Sequence, residues 1–289
     1  MSLNFSKITL SALLFIACLG YGQVCKPTKA KTALIDLSHW SVTIPEENPN
    51  HPGSPIDIGY PEILDYANNP ILKKWMYNDE KDNSIVFYAF PSGATTANSH
   101  FSRSELRETM DLGNKNLNWT FAKGGKFKGT YAIDAISKEK DGKYSKVIIA
   151  QIHGRLTNAQ RDLIGQKDNN APPMLKIYWE QGKIRVKTKV LKDVNASDTA
   201  ILNVKSWTDD EGTNFKEKVG FNKFTLEVKV SDGKLEVILN GKESLVYNDI
   251  NIKKWGVFEN YFKVGNYFQS TDPDSFAKVK IYSLEATHL

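Results

Sequence analysis

The stretch Tyr261-Phe-Lys-Val-Gly-Asn-Tyr-Phe-Gln269 alternates between two kinds of side chain, and that alternation decides how the chain is read. In a β-strand, successive side chains point to opposite faces. Tyr261, Lys263, Tyr267 and Gln269 therefore share one face, with Gly265 between them, while Phe262, Val264 and Phe268 turn to a core. By the same count Asn266 falls on the core side.

Two shorter stretches follow the same rule. Arg103-Ser-Glu-Leu-Arg107 sets Arg103, Glu105 and Arg107 on one face and Ser104 and Leu106 on the other; Gln151-Ile-His153 aligns Gln151 with His153. In one sheet the three polar faces make a wall of Arg, Gln, His, Lys and Tyr, suited to an anionic substrate. Other alternating apolar runs predict strands over 84–90, 117–121, 130–137, 146–153, 175–180, 183–190, 223–230 and 234–239. Glu180-Gln-Gly-Lys183, Ser231-Asp-Gly233 and Asn240-Gly241 supply hairpin turns, because their residues tolerate positive φ. The chain shows no internal repeat, low-complexity tract or helical heptad, so it reads as an all-β protein of two packed antiparallel sheets or a closed barrel. Residues 62–76 suggest a short helix broken at Pro70. Two polar stretches, 46–61 and 155–173, read as loops; the second follows the Gln151-Ile-His153 strand directly and is expected to overhang the polar wall as a lid.

Lys7 followed by the mostly apolar run 8–19 predicts a secretory signal over residues 1–22, too short to span a membrane. A competing reading makes Cys18 a lipid-attachment cysteine, but Phe15 stands three residues before it, where an aliphatic side chain is usual. The preferred expectation is a secreted protein, extracellular or periplasmic, with no transmembrane segment. Residues 23–289 then form one domain, with no linker or composition break, and a monomer is expected. Of the 2 cysteines only Cys25 would remain, which excludes an intrachain disulfide. The net charge of +5 names no partner by itself, and with no basic run or nucleic-acid motif a nucleic-acid role is disfavoured.

The three motifs, in this order, resemble the alginate lyases of polysaccharide lyase family 7, whose members carry R-(S/T)-E-L-R, Q-(I/V)-H and Y-F-K-x-G-x-Y-x-Q strands. Trp40-Ser-Val-Thr-Ile-Pro45 is similar to the family's opening strand and 276–284 to its closing one, so the likeness spans 34–289. The resemblance implies a concanavalin-like β-jelly roll with a substrate groove on its concave sheet. It also implies β-elimination of alginate, in which a base removes the C5 hydrogen, the 4-O-linked sugar leaves and a double bond forms. Asn266 departs from the small or apolar residue expected there, but it faces away from the groove.

A C5 hydrogen beside an ionised carboxylate is weakly acidic, so that carboxylate has to be neutralised. Arg103 matches the family's neutralising arginine and Gln151 adds an amide donor. His153 and Tyr267 are the candidate base and acid: histidine titrates near pH 6.5, and tyrosine, near 10, needs cations beside it to act as a base. For mannuronate Tyr267 would serve both steps; for guluronate, the C5 epimer, His153 would take the proton and Tyr267 return one. Such a pair implies a neutral to alkaline optimum. Glu105 is expected to be a structural counter-ion holding both Arg103 and Arg107. Arg107 and Lys263 are assigned to carboxylates of neighbouring sugars, Gln269 to a hydroxyl, and Tyr261 to substrate binding. Family members with isoleucine at the centre of the Q-x-H motif accept guluronate-containing blocks, so Ile152 points that way, and loops of ordinary length point to endo action. His39, His51, His100 and His288 form no metal-ligand spacing and no acidic calcium loop is present, so neither metal nor cofactor is expected.

Two rivals stand beside this reading. A non-catalytic polysaccharide-binding β-sandwich needs aromatic platforms but has no use for the Arg/Gln/His/Tyr set. A glycoside hydrolase needs two carboxylates at the cleaved bond, and no strand carries a Glu-x-Asp-x-x-Glu trio.

Overall fold

The computed structural model describes residues 33–96 and 99–288; the expected signal, Cys18 and Cys25 lie outside these residues. Two antiparallel sheets pack face to face. The larger has 10 strands. Its path runs Trp207–Asp209, Lys183–Leu191, Asn170–Glu180, Val147–Arg155, Glu259–Phe268, Arg103–Glu108, Trp40–Asn48 and His51–Ile58. The second has 7 strands, with Gly125–Ile136 and Ala277–Thr287 at its centre. This is the expected all-β jelly roll.

Three strands named for their motifs meet side by side. The tyrosine strand, Glu259–Phe268, lies between the histidine strand, Val147–Arg155, and the arginine strand, Arg103–Glu108. Phe262, Val264 and Phe268 are fully buried, as their phase requires. Phe262 meets Phe127 of the second sheet edge to face at 5.1 Å between ring centres, a geometry aromatic pairs prefer. Asn266 also points inward: its Nδ2 donates to the carbonyls of Phe87 at 3.0 Å and Ala277 at 2.7 Å, which bolts the tyrosine strand to two strands of the facing sheet.

Alternation is interrupted once beneath the motif. Val264 pairs with Ala150 and Tyr267 with Ile148, so Gly265 and Asn266 share a bulge opposite a single residue. The histidine strand shifts against its other neighbour at the same place. As a result Ile148 borders the polar cleft while Val147 and Ile149 both join the core. Gly265 has φ +139°, and a Cβ there would lie 2.7 Å from the Ser104 carbonyl oxygen and 3.0 Å from Glu105 Cα. Only glycine fits that approach of two backbones.

Three expectations are corrected. Residues 46–61 are not one loop, since His51–Ile58 is an edge strand on Trp40–Asn48. The helix expected in 62–76 is two 3₁₀ turns, Glu62–Asp65 and Leu72–Lys74, separated by the Pro70 region. The lid is shorter than 155–173. A helix, Asn158–Leu163, follows the histidine strand under a capping box from Thr157 and Gln160, and Asn170–Glu180 already rejoins the sheet, with Pro173 opposite His153.

Candidate active site

The outer face of the larger sheet carries a cleft of about 520 Å³. Arg103, Gln151, His153, Lys263, Tyr267 and Gln269 all border it, so segments far apart in sequence converge. Register explains the convergence: Lys263 stands opposite Gln151 on one side and Arg107 on the other, and Tyr267 stands opposite Arg103.

Glu105 lies beneath this wall, fully buried. Its Oε1 accepts from Gln151 Nε2 at 2.5 Å, and its Oε2 faces Lys263 Nζ at 2.6 Å and Arg103 at 3.3 Å. Burial pushes the carboxyl towards its neutral form, but the Lys263 and Arg103 charges outweigh that and hold it below the usual carboxylate range. Lys263 is pushed down to about 8 by burial and by Arg103, against the pull of Glu105. One carboxylate thus orients three donors. Two cations share one anion in this cluster.

The expected role of Glu105 is therefore half right. It holds Arg103 but not Arg107. The Arg107 guanidinium donates to the carbonyls of Glu108 at 2.7 Å and Lys115 at 2.9 Å and to Asn118 Oδ1 at 3.0 Å, and it does not border the cleft. It also lies 4.1 Å from the centre of the Tyr261 ring, a cation–π contact. Arg107 thus braces Tyr261, which in turn stacks on His153 at 5.2 Å and 12° between planes. Lys263, expected to reach a neighbouring sugar, is committed to Glu105 and is only 6% exposed.

His153 Nδ1 lies 3.0 Å from the Gly154 carbonyl oxygen. A carbonyl only accepts, so Nδ1 carries the proton and Nε2 keeps a bare lone pair. Burial and the Lys263 charge push the imidazole down to about 3, so it is neutral at ordinary pH. The Arg103 guanidinium lies 3.9 Å from the centre of the Tyr267 ring, and the Tyr267 hydroxyl is 2.6 Å from Ser99 Oγ. Ser99 gives its one proton to the Phe101 carbonyl at 3.0 Å, so Tyr267 donates to Ser99. Gln269 Nε2 donates weakly to the Tyr267 carbonyl at 3.2 Å.

Sequence reasoning missed Ser99, which sits in a loop with no pattern, and Ile148, which the bulge turns into the cleft. It also missed Lys176, Tyr178 and Lys189, which border the cleft from the next two strands. The 175–180 alternation already put Lys176 and Tyr178 on one face, so a signal for those two was present.

The family model described as alginate lyase matches residues 35–288. No curated protein sequence matches the chain. Among solved structures, the family 7 alginate lyase A1-II' in complex with the substrate GGMG, in a variant with a histidine changed to asparagine and a tyrosine to phenylalanine, is 26% identical. That alignment covers 91% of this chain and 97% of that one with a TM-score of 0.70. Another structure of A1-II' is 27% identical over 88% of this chain and 96% of that one, with a TM-score of 0.67. An alginate lyase from Pseudomonas aeruginosa shares the fold at 23% identity, covering 88% of this chain and 100% of that one with a TM-score of 0.63. With the family match running through every strand described above, the chain belongs to the alginate lyases of polysaccharide lyase family 7.

Proposed function

We propose that this alginate lyase is secreted and cuts its polymer internally, with Arg103 and Gln151 on the substrate carboxylate and His153 and Tyr267 moving the protons. The observation that supports the assignment is the Glu105 network, which holds Arg103 and Gln151 on the cleft that His153 and Tyr267 also border.

Arg103 and Gln151 hold the carboxylate as negative charge moves onto it from C5, and losing one such donor costs about 10²- to 10³-fold in turnover. For guluronate the Nε2 of His153 takes the C5 hydrogen. The C5 electron pair forms the C4–C5 double bond, the C4–O4 bond breaks, and Tyr267 gives its proton to O4. The phenolate left behind faces the Arg103 charge, and the Ser99 hydroxyl can turn from Phe101 to donate to it. For mannuronate, Tyr267 must first give up its phenol proton. The phenolate beside the Arg103 charge then takes the C5 hydrogen, the C5 electron pair forms the C4–C5 double bond, and the same proton passes to O4 as the C4–O4 bond breaks. Glu105 touches no substrate; it keeps Arg103, Lys263 and Gln151 in place.

Two observations support internal cutting and a guluronate-containing substrate. The cleft shares Asn170 with one neighbouring depression and Phe101 and Gln269 with another, so the groove continues on two sides. A1-II' was solved with GGMG and, as a tyrosine-to-phenylalanine variant, with the product GGG, where G reads as guluronate. Ile152, fully buried, acts on block preference only indirectly.

The test is a time course of ultraviolet absorbance from unsaturated ends on alginate, polymannuronate and polyguluronate. Tyr267→Phe is expected to lower turnover by about 10²- to 10⁴-fold on each polymer while oligomer binding persists. Undiminished turnover in Tyr267→Phe would remove the tyrosine from the chemistry, and products that begin only as dimers would replace endo with exo action.

A further inference from the structure

Beyond His153 the cleft is bordered by a second charged cluster that the elimination chemistry does not use. Lys176 stands directly opposite Gln151, on the same face, one strand further out. Lys187 is its partner on the following strand, and Lys189 lies two residues along that same face. Both Lys176 and Lys189 border the cleft, as does Tyr178, two residues beyond Lys176 on the same strand. Asp209, from the edge strand Trp207–Asp209, pairs with both: Oδ2 with Lys176 and Oδ1 with Lys189 Nζ at 2.7 Å. The two lysine side chains are only 15% and 14% exposed.

We infer that Lys176 and Lys189, braced by Asp209, form a subsite for the carboxylate of a uronate next to the one being cut. The inference rests on the lyase reading above and names which side of the scissile sugar is gripped. A purely structural pair needs one lysine for one aspartate; here two half-dry ammonium groups share a single carboxylate, leaving one positive charge open to the cleft. Each ammonium has three N–H donors; Lys176 gives one to Asp209 Oδ2 and Lys189 is ion-paired with Oδ1, so donors remain for a ligand. Adjacent strands lie about 4.8 Å apart, which places this cluster one to two strand spacings from Gln151, the reach of a neighbouring sugar rather than of the reacting one. The opposite flank offers less, because the Arg107 guanidinium is held by Glu108, Lys115 and Asn118. Burial also pushes Lys189 below its ordinary value despite Asp209, the condition of a cation short of counter-charge.

The test compares Lys176→Gln, Lys189→Gln and Lys189→Arg with the unaltered enzyme on alginate, reading unsaturated ends. Each Gln variant is expected to raise KM about tenfold, the worth of one charge-assisted hydrogen bond, with kcat nearly unchanged. Lys189→Arg keeps the charge and should stay close to the unaltered enzyme, and the rise of KM with salt should be shallower in the Gln variants. Calorimetric titration of alginate oligomers into Tyr267→Phe, with and without Lys189→Gln, repeats the comparison without turnover. An unchanged KM and affinity in both Gln variants, or a fall in kcat alone, would overturn the subsite. Failure of the unaltered enzyme to release unsaturated ends would instead strike the lyase reading.

Discussion

Burial and the Lys263 charge push His153 down to about 3 from 6.5, and the consequence is a base that acid does not silence where it silences ordinary histidines. A lowered value means that the folded protein binds the proton less readily, so Nε2 stays bare as pH falls through the usual histidine range. For polyguluronate, kcat/KM is therefore expected to stay level as pH drops through about 6.5, extending the neutral to alkaline range expected of a histidine and tyrosine pair towards acid. A pH–rate profile of the free enzyme checks it, and an acid limb at the ordinary histidine value would show either that His153 is not the base or that the cleft is wetter than the fold suggests. The same shift acts on stability. The unfolded chain takes up a proton between about pH 6.5 and 3 that the folded chain declines, so folding weakens on acidification across that window.

At the level of elements, the bulge in the tyrosine strand sets where Tyr267 stands relative to Arg103 and Ile148. Gly265→Ala would force a Cβ to within 2.7 Å of the Ser104 carbonyl oxygen at a φ of +139°. The expected cost is at least about 1–3 kcal/mol of stability, read from denaturant unfolding, together with lower kcat as the tyrosine and arginine strands part. Unchanged stability would mean that the two backbones can move apart freely. This bulge also marks where the sequence stopped being legible. Alternation located Phe262, Val264 and Phe268 because a half-buried strand must repeat every two residues, and Gln181 and Asn240 do take positive φ in their turns, at 53° and 52°. Alternation could not choose between Ile148 and Ile149, which are identical in chemistry and separated only by backbone pairing. His51–Ile58 escaped because an edge strand buries little and tolerates Pro52 and Pro55, so it leaves no apolar signal. In the site, residue types named the chemistry, but the partner of each charge depends on register: Glu105 meets Lys263 rather than Arg107 because the tyrosine strand lies alongside.

Across the whole molecule, the two sheets are joined behind the active site by a residue that the sequence left without a role. His288 follows the last strand of the smaller sheet, Ala277–Thr287, and its Nε2 lies 2.6 Å from Glu108 Oε1, on the arginine strand of the larger one. Its Nδ1 lies 3.2 Å from the Gly124 carbonyl oxygen, and its ring stacks on Phe262 at 5.8 Å. Glu108, 4% exposed, also accepts from the Trp119 indole and the Phe262 backbone N–H, each at 3.0 Å. The carboxylate therefore gathers both sheets at the back of the strands that carry Arg103 and Tyr267. Removing His288 leaves Glu108 buried with its charge less well met, and hydrogen bonds to charged groups are worth about 1.5–3 kcal/mol. His288→Ala is thus expected to lower the melting temperature by several degrees, since about 1 kcal/mol moves a domain of this size by roughly 2–4 °C. Because no contact of His288 reaches the cleft, kcat/KM measured well below the transition should stay close to that of the unaltered enzyme. Calorimetric melting and the ultraviolet assay separate the two effects. A loss of activity without a loss of stability would mean that the join positions the arginine strand for chemistry, whereas a loss of stability alone identifies it as the clasp that holds the sheets together.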